Sequence, residues 1–323
     1  MTTDKTDLAS RPFVSLTGKG TTWYHVKAAE LRDIEFIRGI CPVKPLDLSN
    51  CISEQRLPTV ATREGYLFAL FHFPRRLAPR EGKFVTSQLG VFMGEKFLVT
   101  VYQTELTPLN RLFAICQSDE RRRKELLSGS TGNLLYFLLD SLVDSLFTMI
   151  DEVLGAMEQI EDEVFDDRRS SARSLGLLRR DIADQRRILY PTASLIKEIR
   201  SKATPYGTDE LDLQYEDVHD KMVKVWHTLE SMAERIEIFK DADHILSTAK
   251  TNKILTVLTI VFTLSIPATA AGALYGMNVL LPGGIETGAL AFWGKYTTFF
   301  VVLLATVVPT GLLILLFRKW GWI

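Results

Sequence analysis

The chain has 323 residues, 46% of them hydrophobic and 24% charged, and its formal net charge at pH 7 is -1. A nucleic-acid-binding domain normally carries a basic surplus, so this balance argues against nucleic acid as a partner. The three cysteines are widely spaced without a CxxC pair, which indicates free thiols in a reducing compartment rather than a disulfide framework.

Sequence patterns typical of catalytic sites are not found along the chain. The five histidines show no HxxxH or HExxH spacing. There is also no Ser-His-Asp order, Walker loop or catalytic cysteine setting. The sequence therefore does not predict an enzyme, a catalytic residue or a catalytic cofactor.

The N-terminal third predicts a mixed domain built on a sheet. Residues 1–20 are polar, contain no apolar stretch that could be a signal peptide, and are predicted to be a flexible N-terminus. Residues 21–129 are predicted to form an α/β cytosolic domain. Its expected elements are turns at three prolines (Pro42, Pro45 and Pro58), helices at 28–39 and 106–117, and strands at 22–26, 65–73, 84–93 and 96–102.

Residues 130–207 predict two charged helices. Apolar and acidic residues alternate at helical spacing up to position 167, and basic residues dominate 168–187. Neighbouring helices of opposite charge predict an antiparallel hairpin whose faces attract each other, although both could equally be solvated faces. The acid-rich hairpin could also concentrate cations near a pore mouth through its summed field.

A single long helix is predicted for residues 208–275, after a break at Pro205 and Gly207. Its last part, 254–275, carries no charge. At roughly 1.5 Å per residue, this stretch can cross a hydrocarbon core that is about 30 Å thick. A second uncharged run, 296–317, is just as long, so the sequence predicts two C-terminal transmembrane helices.

Charges that flank the two spans predict their orientation. Two lysines precede the first span and Arg318 and Lys319 follow the second, whereas the loop between them, 276–295, carries few charges. By the positive-inside rule, the N-terminus and the basic-aromatic tail 318–323 are predicted to be cytoplasmic, and the loop extracytoplasmic. The expected location is therefore the cell (inner) membrane, with the chain crossing it more than once.

The first span carries a polar stripe without charge. Asn252, Thr256, Thr259 and Thr263 are spaced so that they fall on one helical face. Such a face suits a water-filled conduit for a hydrated ion. The alternative is that the threonines hydrogen-bond the carbonyl groups four residues earlier and join neighbouring helices.

The first span ends in Tyr275-Gly276-Met277-Asn278, between two spans at the C-terminus of the chain. This arrangement, with the basic-aromatic tail behind it, resembles the CorA superfamily of divalent-cation channels. The resemblance implies an α/β cytosolic domain followed by long helices and two C-terminal transmembrane helices. It also implies a homo-pentameric funnel in the lipid bilayer, with the long helix lining the pore.

The resemblance further implies where divalent cations bind. Gly276, Met277 and Asn278 would form the selectivity filter, in which a ring of amide oxygens holds a hydrated Mg²⁺ by its waters, since magnesium dehydrates reluctantly. The conduit would be lined by Asn252, Leu255, Ile266 and Thr269, and Thr259 joins them from the polar stripe. Asp217 would bind a regulatory cation between neighbouring subunits and hold the ring closed.

The identity of the transported metal is left open by the outer loop. Magnesium channels of the superfamily usually carry two acids in this loop, whereas this chain has Glu286 alone, which is closer to the ZntB-type zinc transporters. Hydrated Mg²⁺ is the first expectation, with Co²⁺ or Ni²⁺ by the same route, and Zn²⁺ is the alternative. A different class of function is a membrane-anchored metal sensor or scaffold that does not transport.

Overall fold

A computed structural model describes residues 13–27, 37–39, 41–53, 56–77, 83–165, 171–207, 210–277 and 297–322. The chain divides into two compact units, Met1–Asp241 and Ala242–Ile323. The segments that the sequence separates at 129 and 207 therefore lie within one unit. The helix predicted at 28–39 lies outside the described residues except for its last three.

The N-terminal unit is built on one mixed sheet of six strands in the order β1-β2-β6-β5-β4-β3. Every neighbouring pair is antiparallel except β2 with β6, which is parallel. The strands are β1 (Phe13–Thr17), β2 (Thr22–Lys27), β3 (Thr59–Arg63), β4 (Tyr66–Arg76), β5 (Phe84–Met93) and β6 (Phe97–Tyr102). The strand predicted at 84–93 is confirmed with the same bounds, because its apolar run is buried along nearly all of its length.

Two expectations for this unit are wrong. The predicted flexible N-terminus includes β1, which pairs with β2 from Phe13↔Val26 to Thr17↔Thr22. The stretch predicted as turns includes helix α1 (Pro45–Ile52). Its proline occupies the first helical turn, where the missing N–H has no partner to lose. Helix α1 packs so closely on β5 that a Cβ added at Gly90 would collide with Cys51.

A buried aspartate ties α1 to the β3–β4 hairpin. The Asp47 side chain is 1% exposed and accepts hydrogen bonds from Arg63 Nε at 3.0 Å, Arg63 Nη2 at 3.1 Å and the Tyr66 hydroxyl at 2.7 Å. Burial alone would raise the pKa of this carboxyl, but the bonds to Arg63 and Tyr66 outweigh it and lower the pKa.

A chain of hydrogen bonds crosses the core between β2, β6 and the next helix, α2 (Thr107–Ser118). Trp23 Nε1 donates to Thr100 Oγ1 at 3.0 Å, and Thr100 Oγ1 lies 3.2 Å from His25 Nδ1. The Tyr102 hydroxyl lies 2.9 Å from His25 Nε2 and donates to Asn110 Oδ1. These partners fit a neutral imidazole that carries its proton on Nε2 and accepts at Nδ1.

Helices complete the N-terminal unit. After α2 come α3 (Glu120–Leu127), α4 (Thr131–Phe165), α5 (Ala172–Ala203) and the first part of α6 (Leu211–Gly276). Helix α5 covers β4 beyond the end of its pairing with β3: the His72 N–H donates to Thr192 Oγ1 at 3.2 Å, and the Thr192 hydroxyl donates to the His72 carbonyl at 2.8 Å. This contact satisfies part of a strand edge that would otherwise be unpaired.

The charges of α4 and α5 pair with α6, which differs from the expected mutual attraction of the two helices. From the basic helix, Arg179 Nε lies 2.9 Å from Glu237 Oε1. Arg200 pairs with two carboxylates: its Nη2 lies 2.6 Å from Asp212 Oδ2 and its Nη1 lies 3.2 Å from Glu216 Oε1. From the acidic helix, Glu161 lies 3.8 Å from Arg235. The sequence could not show these pairings, because α6 carries both acidic and basic side chains and so can pair with either helix.

The C-terminal unit contains the rest of α6 and helix α7 (Thr297–Lys319). Within the described part of the chain, three helices are long and apolar enough to cross a membrane: α4, α6 and α7. The most apolar window of α4 is 44% buried in the protein, against 6% for α6 and 0% for α7. Helix α4 therefore packs its apolar face within the N-terminal unit, while the most apolar windows of α6 and α7 stay uncovered.

Helix α7 ends in a Schellman motif. Gly321 has a φ of 72°, its N–H donates to the Arg318 carbonyl at 3.3 Å, and the Trp322 N–H donates to the Phe317 carbonyl at 3.0 Å. The Trp322 ring stacks on Phe317, with 5.6 Å between ring centroids. This is the apolar contact that commonly accompanies the motif.

Candidate functional site

Five residues predicted to line the conduit share one face of α6 in the C-terminal unit. Their spacing of three, four, seven and three residues keeps them near a single helical stripe. All five are exposed, and the two apolar members, Leu255 and Ile266, are 53% and 60% exposed. We call this set the conduit stripe; it consists of Asn252, Leu255, Thr259, Ile266 and Thr269.

The residues of the polar face predicted from the sequence differ in exposure. Thr256 and Thr263 are half-buried, as is Pro267, and Ala271 on the same side is 6% exposed. Thr259, which lies next to them around the helix, is exposed. Spacing alone could not separate them, because residues one turn apart differ by only about 40° around a helix.

The hydroxyl groups of the conduit stripe bond back to their own helix. Thr259 Oγ1 donates to the Leu255 carbonyl at 2.7 Å, and Thr269 Oγ1 donates to the Ser265 carbonyl at 2.9 Å. The hydrogen bonds of the alternative are thus present at these two residues, while its second part, the joining of neighbouring helices, stays a prediction. Donation to the helix leaves the oxygen lone pairs free to accept further hydrogen bonds. The exposed stripe therefore offers neutral acceptors, which suit the water shell of a cation.

The predicted selectivity filter is only partly described. Gly276 is the last residue of α6, and the Met277 N–H donates to the Leu274 carbonyl at 3.3 Å. The Met277 side chain is 54% exposed. Asn278 and Glu286 lie outside the described residues.

The predicted regulatory residue, Asp217, lies in the N-terminal unit beside a lysine that the sequence analysis missed. Lys221 Nζ is 3.5 Å from Asp217 Oδ2, one helical turn earlier on α6. It donates to Asp140 Oδ1 at 2.5 Å and to Asp144 Oδ1 at 3.1 Å, both on α4. We call these four residues the Lys221 cluster. The spacing of Asp217 and Lys221 could have suggested their pair, but nothing in the sequence indicated the two aspartates of α4.

The electrostatics of the Lys221 cluster favour the charged ammonium. Burial alone would lower the pKa of Lys221, but the hydrogen bonds to Asp140 and Asp144 outweigh it and raise the pKa above its usual range. Three carboxylates around one ammonium leave a net negative cluster. Asp217 is its least engaged carboxylate, with 58% of its side chain exposed.

A complete metal site is not formed by one copy of this part of the chain. Within the residues that the structure describes, no group of three or more His, Cys, Asp or Glu side chains could hold a metal ion. Asp217 alone supplies one carboxylate at the surface. A cation bound there needs further ligands from water or from another copy of the chain.

Comparison with known proteins places the whole chain among metal transporters. The family model described as "CorA-like Mg2+ transporter protein" matches residues 18–319. The putative metal ion transporter YfjQ of Bacillus subtilis is 27% identical over 100% of this chain and 97% of its own length.

Solved structures show the same fold. The CorA magnesium transporter from Methanocaldococcus jannaschii superposes with a TM-score of 0.78 at 20% identity, covering 94% of this chain and 92% of that one. The cytoplasmic domain of ZntB from Vibrio parahaemolyticus gives a TM-score of 0.57 at 12% identity, covering 72% and 89%. The α/β N-terminal domain, the long helices and the C-terminal apolar helices are thus a known architecture.

Proposed function

Because this chain belongs to the family of CorA-like Mg²⁺ transporter proteins, we propose that it conducts divalent cations, Mg²⁺ first, across the cell (inner) membrane. The observation that carries this proposal is the conduit stripe: an exposed, uncharged line of oxygen atoms and apolar side chains along the C-terminal part of α6. A helix buried only in lipid has no use for a polar stripe, whereas a water-filled conduit does.

Several copies are required to enclose such a conduit, since one chain offers a single stripe. Closed rotational symmetry is the usual way for identical chains to surround an axis, and the superfamily resemblance indicates a pentamer. Around that axis, each residue of the conduit stripe becomes a ring. The proposed orientation places both chain termini in the cytoplasm and the loop 276–295 outside, following the basic residues beside the two spans.

Cation recognition in this proposal uses the outer water shell. Asn278 would present amide oxygens at the outer end of α6, and Thr259 and Thr269 would accept hydrogen bonds from the waters further in. Rings of Leu255 and Ile266 would dewet when the conduit narrows and so act as a gate. Inward movement across about 100 mV lowers the free energy of a doubly charged ion by roughly 4.6 kcal/mol. No catalytic cofactor or ATP is therefore needed.

Gating in this proposal depends on intracellular metal at Asp217. A divalent cation shared with a neighbouring copy would neutralise the repulsion between acidic side chains and hold the closed ring. Loss of the ion would allow the copies to move apart. The exposed position of the Asp217 carboxylate is compatible with such an intersubunit site.

Flux into liposomes tests the proposal. Full-length protein in sealed vesicles is expected to admit Mg²⁺, and Asn278→Ala is expected to abolish most of that flux. Thr259→Val should slow it at least about fivefold, because one net hydrogen bond to each hydrated ion is worth roughly 1 kcal/mol. Thr256→Val, the same change on the more covered side of α6, is the matched control and should conduct like wild type.

The alternatives are outcomes of the same series. Faster flux of Zn²⁺ than of Mg²⁺ would assign the chain to zinc transport. Vesicles that stay impermeable to every divalent cation, with correctly inserted protein, would leave the membrane-anchored sensor or scaffold as the remaining function.

A further inference from the structure

The Lys221 cluster holds a cation that belongs to the chain itself. Lys221 Nζ lies 2.5 Å from Asp140, 3.1 Å from Asp144 and 3.5 Å from Asp217. An ammonium group has three N–H donors and no acceptor, so its donors match the number of carboxylates around it. The ammonium is direct evidence that these carboxylates are arranged around positive charge.

The three carboxylates are not equally engaged. Asp140 and Asp144 accept hydrogen bonds from Lys221, and the Asp140 side chain is only 23% exposed. Asp217 is further from the ammonium and 58% exposed. The lysine is thus anchored by α4. Asp144 and Asp217 are both accessible to solvent, at 55% and 58% exposed, but Asp217 alone accepts no hydrogen bond from the ammonium and has its oxygen atoms free for another cation.

We propose that Lys221 is a tethered competitor of the regulatory cation at Asp217, and that it sets the divalent-cation concentration at which this site fills. The inference rests on the proposed function of Asp217. A divalent ion that binds Asp217 must either approach within a few ångströms of the ammonium or push it further towards Asp140 and Asp144. Both options weaken binding by repulsion between like charges.

Removal of the lysine should therefore strengthen cation binding. For full-length protein in detergent, we expect Lys221→Gln to lower the Mg²⁺ concentration that gives half-maximal thermal stabilisation by about tenfold. One positive charge about 4 Å from a divalent ion in water weakens binding by up to about thirtyfold, and screening by salt reduces this to about tenfold. In liposomes, the internal Mg²⁺ concentration that halves flux should fall by a similar factor.

Lys224→Gln is the matched control, because it removes the same charge from the same helix. Lys224 lies over the Phe147 ring, 5.9 Å from its centroid, and not in the cluster. It should leave the half-saturating Mg²⁺ concentration within about twofold of wild type. An equal shift in both variants would reduce the effect to net charge and overturn the proposal.

The double variant Asp217→Asn with Lys221→Gln locates the gain. It should bind no more tightly than Asp217→Asn alone. If the gain persists without Asp217, the ion binds at Asp140 and Asp144 instead, and the proposal is wrong.

Thermal unfolding without Mg²⁺ identifies variants that fail to fold. The milder Lys221→Arg, which keeps the charge, must then retain the half-saturating Mg²⁺ concentration of the wild type. A wild type that binds Mg²⁺ but conducts nothing would refute the proposed function and leave this inference standing.

Discussion

The two parts of α6 lie in the same helix but are covered differently. In the N-terminal unit, apolar residues three or four positions apart form a stripe that is almost fully buried, from Leu211 at 1% to Phe239 at 7% exposed. In the C-terminal unit, apolar residues surround the helix and stay exposed: Ile254 is 60%, Val261 58% and Leu274 54% exposed. The first part is stabilised by the chain's own helices, through contacts such as the Tyr215 hydroxyl with the Gly132 carbonyl, and the second leaves its apolar side chains uncovered.

This difference shows where function can be placed. A stripe buried within the chain leaves little freedom for change, because loss of a few methylene groups leaves a cavity. A stripe that stays exposed can carry threonine, asparagine and isoleucine at little cost to the fold of one chain. In the proposed assembly, the conduit stripe uses that freedom. The comparison also predicts that the two units respond differently to mutation and to pH.

The largest loss of stability is expected from Asp47→Ala in the N-terminal unit. It removes a carboxylate that is 1% exposed and leaves Arg63 and Tyr66 without their partner. Breaking a buried ion pair costs about 3 to 5 kcal/mol, and the partial exposure of Arg63 favours the lower end. Urea unfolding of the full chain in detergent should show this loss in the transition of the N-terminal unit. The helical signal of the C-terminal unit should be retained.

The control for Asp47→Ala is Glu125→Ala, which removes an exposed carboxylate that pairs with Arg122 at 3.1 Å. Exposed pairs of this kind contribute at most about 0.5 kcal/mol. Equal losses in the two variants would contradict the role assigned to the buried ion pair.

The sequence predicted best those elements whose burial follows from a long apolar pattern of their own. The strand at 84–93 and the long helix could be predicted because their apolar patterns persist over many residues. The edge strand β1 was missed because five residues alternate too briefly to be distinguished from a polar tail, and α1 because Pro45 was interpreted as a turn instead of a first helical turn.

The candidate site was predictable only in part, for a related reason. The conduit stripe depends on the spacing along one helix, so its residues could be listed from the sequence. The Lys221 cluster joins two helices separated by some 80 positions, as the pair Asp140 and Lys221 shows. Long-range pairs of this kind leave no local periodicity, and only the folded structure brings them together.

A pH effect confined to the N-terminal unit is the next prediction. Burial lowers the pKa of His25 to about 4, although the hydrogen bond that His25 Nε2 donates to Asn110 Oδ1 opposes this shift. The unfolded chain binds a proton near pH 6.5, so between pH 6.5 and 4 it holds more protons than the folded chain. Stability should be constant with respect to this group above pH 6.5 and fall by roughly 2 to 3 kcal/mol towards pH 4.

His25→Phe is expected to reduce that pH dependence, measured as the free energy of unfolding at several pH values. His227→Gln, at a site where the side chain is 70% exposed, serves as the control and should retain the wild-type slope. Burial also lowers the pKa of His72, so a smaller slope of the same sign should remain in His25→Phe. An unchanged slope in that variant would show that the imidazole is protonated within the fold.

The smallest effect is expected at the end of α7, where a single helix cap is changed. At Gly321, with a φ of 72°, an alanine side chain costs about 1 kcal/mol because the left-handed conformation crowds its Cβ. Gly321→Ala should therefore loosen only the Schellman motif. Hydrogen exchange of the Trp322 amide, which donates to the Phe317 carbonyl, should become about fivefold faster. Gly311→Ala on the same helix, where a Cβ meets nothing within 4 Å, should leave that rate unchanged. If Gly321→Ala instead lowered the unfolding temperature of the N-terminal unit, the local role assigned to this cap would be refuted.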